Sequence, residues 1–166
     1  MGLAIHFHGT LRSTGSQPGI GRVLQRHATA PDATIHVIDD TEGELGRYLN
    51  DDLMDTTGPL KGWIVGLHPQ CEPLFFVFDV RGRMASSCKT QFAPLDVHKR
   101  IVALLEEVEP MFETFNVIDE GGYWGTHDEA ELLARHERLN NLLDQVQGAL
   151  EHGWPGTRPP VGHALN

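Results

Sequence analysis

Five consecutive apolar residues, Leu74–Phe78, constrain this chain more than any other stretch. A strand with one wet face alternates apolar and polar residues, whereas a strand apolar at every position is covered on both faces. GWIVGLH (62–68) precedes it as a second apolar strand across the HPQCEP connection, and Asp79–Gly82 reads as a hairpin turn into a third strand near Met84–Phe92. The sequence therefore predicts an antiparallel meander with material packed over both sides.

The other elements follow from periodicity. Leu3, Ile5 and Phe7 alternate with Ala4, His6 and His8, which gives a first strand with two histidines on its non-core face. A turn-rich loop leads to Pro18 in a helix first turn, with Ile20, Val23, Leu24, His27 and Ala28 at helical spacing, stopped by Pro31 and Asp32. TIHVI (34–38) is a second strand, and a right-handed crossover follows if it runs parallel to the first. Residues 39–55 read as a marginal acidic helix, because Gly43 and Gly46 each cost about 1 kcal/mol against Ala, and TTGPLKG (56–62) reads as a turn. Val97, Ile101, Leu104, Leu105 and Val108 form the stripe of a helix ended by Pro110, and 115–118 is a further strand. A capping box at Thr126–Glu129 opens a long last helix. Its seam, Leu132, His136, Leu139, Leu143, Val146 and Leu150, has heptad-like spacing, so a homodimer through 128–150 is one expectation. The predicted class is α+β: a mostly antiparallel sheet of five to six strands, with two to three main helices including a long C-terminal one. One domain is expected over 1–152, followed by a Pro/Gly-rich flexible tail over 153–166.

Charge narrows the partners. The formal net charge is −10, and it is clustered. Residues 39–55 carry seven carboxylates against Arg47, and 106–131 carry nine with no Lys or Arg. Such a field repels nucleic acid and anionic membrane and steers a basic protein toward it. No apolar run reaches the ~20 residues that span a bilayer, and MGLAIHFHG has no basic n-region, so a cytoplasmic protein is expected. Cys71 and Cys88 are the two cysteines. They are expected as reduced thiols in a reducing compartment, with a disulfide as the alternative.

The densest chemistry lies in FNVIDEGGYWGTHD (115–128), where a strand runs into Asp119 and Glu120, the Gly121–Gly122 pair and the adjacent rings of Tyr123 and Trp124. Those rings are either anchors packed beneath the following helix or contact residues for a partner. Lys89, Thr90, Gln91 and His98 form a nearby set, and Lys89 would pair with the Asp119/Glu120 carboxylates if their strands were neighbours. The binding residues expected are Asp119, Glu120, Tyr123, Trp124, Lys89 and Gln91. For an enzyme, Glu120, His98 and Lys89 are the catalytic candidates. His6, His8 and His68 are the candidate ligands if a metal, zinc by donor type, is bound; otherwise no metal or cofactor is expected. No nucleophile elbow, H-E-x-x-H, phosphate loop or dinucleotide fingerprint is present.

KTQFA (89–93) with His98, and NVIDEGGYWGTHD (116–128), resemble the signature of a family of small bacterial proteins to which no reaction is assigned. GLHPQCEPLFFVFDVRG (66–82) resembles that family's apolar hairpin, and with the opening strand the resemblance covers roughly residues 3–150. Family members carry a longer segment between hairpin and KTQFA; here RMASS (83–87) stands nearly alone. The resemblance implies a soluble bacterial protein in which Lys89, Gln91, His98, Asp119, Glu120, Tyr123 and Trp124 form one cluster. Residues and charge together predict a small acidic protein-binding module rather than an enzyme, of the kind represented by an immunity-type inhibitor or escort of a basic partner. A metal-assisted hydrolase built on the His/Glu cluster is the alternative.

Overall fold

The computed structural model describes residues 3–49 and 52–152, without the side chains of 47–49, 52–56 and 151–152. Strands β1 (Ala4–Leu11), β2 (Thr34–Leu49), β3 (Asp52–Gly66), β4 (Leu74–Phe78), β5 (Arg83–Lys89) and β6 (Phe112–Asp119) alternate with helices α1 (Gln17–His27), α2 (Leu95–Val108) and α3 (Glu129–His152). The class is α+β, but the strands form two antiparallel sheets of three, ordered β5-β1-β6 and β2-β3-β4, rather than one sheet of five or six. The β4–β5 turn links them, and there Phe75 N–H donates to the Ser86 hydroxyl at 3.1 Å. Asp79 caps the turn, accepting from the amides of Arg81 and Arg83 and from Arg83 Nε at 2.7–2.9 Å. β1 and β2 lie in different sheets, so the expected crossover between parallel strands does not occur.

Residues 39–55 are strand, not helix. β2 and β3 form a long two-stranded ribbon whose register shifts between Asp40 and Gly43, opposite Pro59, which has no amide hydrogen to give a ladder. TTGPLKG is therefore strand as well. Gly62 (φ +150°) serves close approach rather than reversal: a Cβ there would lie 1.9 Å from the Phe76 carbonyl oxygen on β4.

Phe7 of β1 and Phe76 of β4 meet at 5.4 Å between ring centroids and join the two sheets through one core. Ile20, Val23 and Leu24 of α1, and Val97, Ile101, Val102, Leu104, Leu105 and Val108 of α2, close that core, as their spacing predicts. β4 is covered on both faces apart from a half-exposed Phe75. Glu107 of α2 pairs with Arg26 and His27 of α1, the latter at 2.9 Å, and so ties the two helices together. Among the described residues no helix is long and apolar enough to cross a membrane. The tail expected over 153–166 lies outside the described residues.

Candidate functional site

Chemistry concentrates where the β5-β1-β6 sheet ends beneath α2. In antiparallel pairing the start of β1 lies beside the ends of both neighbours, with Ala4 opposite Lys89 and Ile5 opposite Asp119. Thr90, just past β5, donates its amide to the Leu3 carbonyl at 2.8 Å. Glu120, just past β6, exchanges backbone and side-chain bonds with Ala4: its amide donates to Ala4 O, and its Oε2 accepts Ala4 N–H, each at 3.0 Å. His98, in the first turns of α2, drops between Thr90 and Asp119.

The result is a buried hydroxyl–imidazole–carboxylate array. His98 Nδ1 shares a proton with Thr90 Oγ1 at 2.8 Å, and His98 Nε2 lies 3.0 Å from Asp119 Oδ1. That second contact does not meet hydrogen-bond geometry, so Nε2 is a buried polar atom without a hydrogen-bond partner. Gly121 permits the approach, since a Cβ there would stand 2.7 Å from Nε2 and 2.8 Å from Leu132 Cδ1. Asp119 Oδ1 also accepts from Gly121 N–H at 2.7 Å, and Oδ2 accepts from Tyr123 and Trp124 N–H at 2.7 and 2.9 Å. Burial raises the Asp119 carboxyl, but the neighbouring His98 and the amides of Trp124 and Gly121 outweigh it and hold the group below the usual carboxylate range.

This array has the composition of a nucleophilic triad but not its access. Thr90 is 3% exposed and His98 1%, and the hydroxyl is also bonded to the Leu3 carbonyl at 3.2 Å. Oγ1 offers no surface at which a substrate carbonyl could be attacked. The array acts as an internal brace that fixes the 119–124 loop.

Of the expected site residues, His98, Asp119 and Tyr123 are brought together, and Glu120 lies at their edge. Tyr123 is 8% exposed and belongs to the core. Trp124 is half-buried against that core, edge-on to Phe115 at 6.4 Å. Both rings are thus placed as anchors. Lys89 does not pair with Asp119, because β1 separates β5 from β6; its amide donates instead to Glu72 Oε2 at 3.1 Å. Gln91 is half-buried in the following turn. His6 and His8 share the outer face of β1, and His6 Nε2 reaches only to 3.8 Å from Glu120 Oε1. His68 sits apart, after β3, with Nδ1 accepting from Gln70 N–H. Among the described residues no group of three or more His, Cys, Asp or Glu side chains is arranged to hold a metal ion.

Arg135 of α3 went unrecognised in the sequence. It donates to the Glu120 carbonyl at 2.7 Å and to Glu131, and so clamps the loop to the last helix. The i,i+4 spacing of Glu131 and Arg135 was its one local signal. The helix cap also differs from the expected capping box. Asp128 Oδ1 accepts from Ala130 and Glu131 N–H at 3.0 Å, while the Thr126 hydroxyl accepts from Asp128 N–H at 3.2 Å, just before the helix, and donates back to the Gly122 carbonyl. His127 at φ +53° breaks the helical path there, so α3 begins two residues later than a Thr126 cap requires. Glu129 is taken by Lys99 of α2 at 3.0 Å.

Nearby, Leu95, Lys99, Glu129, Ala130, Leu132 and Leu133 line a largely apolar cleft of about 310 Å³ between α2 and α3; neither His98 nor Asp119 lines it. Compared with protein-family models, curated proteins and solved structures, the chain matches none of them.

Proposed function

We propose that this chain is an acidic protein-binding module that captures a basic partner protein, in the manner of an immunity-type inhibitor or escort. The observation that carries the reading is the open edge of β2. β2 is the terminal strand of its sheet, and Asp39, Asp40, Glu42 and Glu44 lie exposed along it, following a 73%-exposed Val37. An edge strand offers a row of unpaired N–H and C=O groups to which another chain can add as a strand. Its carboxylates draw cationic partners and raise their association rate. The loop at 119–124 contributes less to this reading, because Tyr123 and Trp124 turn toward the core.

Acidic residues on an edge also discourage aggregation, and the test separates the two roles. The full chain and its Glu42→Gln/Glu44→Gln variant are immobilised and exposed to native cell extract at low and moderate salt, with captured proteins identified by mass. The reading expects a basic protein whose association slows several-fold in the variant and with added salt. Equal capture by both forms, or capture of acidic proteins alone, would overturn it.

A further inference from the structure

Although β4 and β5 belong to different sheets, backbone and side-chain bonds tie the segment before β4 to the end of β5, and these ties bring the stretches that carry the two cysteines side by side. Glu72 N–H donates to the Lys89 carbonyl at 3.1 Å, and Lys89 N–H returns to Glu72 Oε2 at 3.1 Å. This double tie holds the Cys71–Glu72 segment against Cys88–Lys89. Cys88 Sγ lies 2.9 Å from the carbonyl of Glu72, the residue beside Cys71, and Cys71 Sγ lies 3.4 Å from the carbonyl of His68. Both are free. Their settings differ sharply. Cys88 is sealed in the core, whereas Cys71 is half-exposed in the connecting loop beside exposed Pro69, Gln70 and Glu72.

We propose that Cys71 and Cys88 form a dithiol exchange site, with Cys71 the attacking and Cys88 the resolving sulfur, whose oxidant is a low-molecular-weight disulfide. The Cys71 thiolate attacks one sulfur of the small disulfide, forming a mixed disulfide and expelling one small thiolate, which takes up a proton. Cys88 then loses its proton and attacks Cys71 Sγ, closing the internal disulfide and expelling the second small thiol. Two electrons and two protons pass from the protein dithiol to the small disulfide, which leaves as two thiols. The outer sulfur is suited to its role: the neighbouring Cys88 thiol lowers Cys71 to about 7, against the opposing effects of burial and of the Glu72 charge. The Cys71 neighbour, with burial, pushes the Cys88 thiol up, which keeps it protonated until the mixed disulfide forms. This site is independent of the protein-binding reading, since neither cysteine lies on the β2 edge.

Bis(2-hydroxyethyl) disulfide is a suitable probe because it is neutral and unaffected by the acidic field. The full reduced chain is treated at neutral pH, quenched, and measured by intact mass and tryptic mapping without reduction. The expected product has lost two hydrogens and links peptides 62–81 and 84–89. Cys88→Ser should stop at one mercaptoethanol adduct on Cys71. Cys71→Ser should react at least about tenfold more slowly, with its buried Cys88 as the remaining thiol. The mapping of the unmodified protein stands even if a variant fails to fold. Separate adducts on both cysteines, an unreacted dithiol, or equal rates for Cys71→Ser and the parent would overturn the proposal.

Discussion

Asp119 holds three backbone amides and faces an imidazole, and its carboxyl titrates below the ordinary range in consequence. A group whose folded value is depressed adds stability that is present above its unfolded value, near 3.9, and is lost as pH falls through the folded one. Asp119→Asn should therefore cost about 3 kcal/mol near neutral pH, the usual consequence of breaking a buried pair. The gap from the parent should narrow as pH drops below about 4. Urea titrations of both forms across that range check the sign, and a gap that widens on acidification would contradict it. Gly121→Ala addresses the same brace from the other side. Its methyl meets His98 Nε2 and Leu132 Cδ1 at 2.7 and 2.8 Å, so an overpacking loss of about 1–3 kcal/mol is expected as a lower thermal midpoint.

α3 is held along only part of its length. Leu132 and Leu139 enter the core, whereas Leu142 and Val146 are 47% and 46% exposed. Leu132→Ala should cost about 2–5 kcal/mol, and Val146→Ala within about 0.5 kcal/mol. A large loss at Val146 that grows on dilution would mean that a second copy covers the stripe, the homodimer that its heptad spacing suggests. This helix also shows what could be read in advance. Of its predicted seam only Leu132 and Leu139 are buried, but its extent as a long helix, the α2 stripe, the alternation of β1 and the solid apolar run of β4 were legible because each signal repeats at the period of its own element. The ribbon was not, since Gly43, Gly46, Gly58 and Pro59 read locally as helix breakers and turn residues. It is cross-strand pairing, with the register shift placed opposite Pro59, that makes them strand. His98 and Asp119 were legible as members of one cluster. Their contact was not, because residues far apart in the chain meet there through sheet order, which no local period encodes.

The whole molecule carries a formal charge of −10, with nine carboxylates and no Lys or Arg across 106–131. Self-repulsion of this kind is screened over about 10 Å at 0.1 M salt. Raising sodium chloride from about 0.02 to 0.3 M should therefore raise the thermal midpoint. A fall would show that the surface ion pairs at Arg26–Glu107 and Lys99–Glu129 outweigh the repulsion. The order β5-β1-β6 has a further consequence for how the chain is made. β1 is made before either of its neighbours, for it bonds on one edge to residues 83–89 and on the other to residues 112–119. During synthesis it must wait, unpaired on both sides, while the ribbon emerges and folds ahead of it. The nascent chain thus leaves Ile5 and Phe7 without their sheet until both neighbouring strands emerge, and the β5-β1-β6 sheet closes only after residue 119 has been decoded.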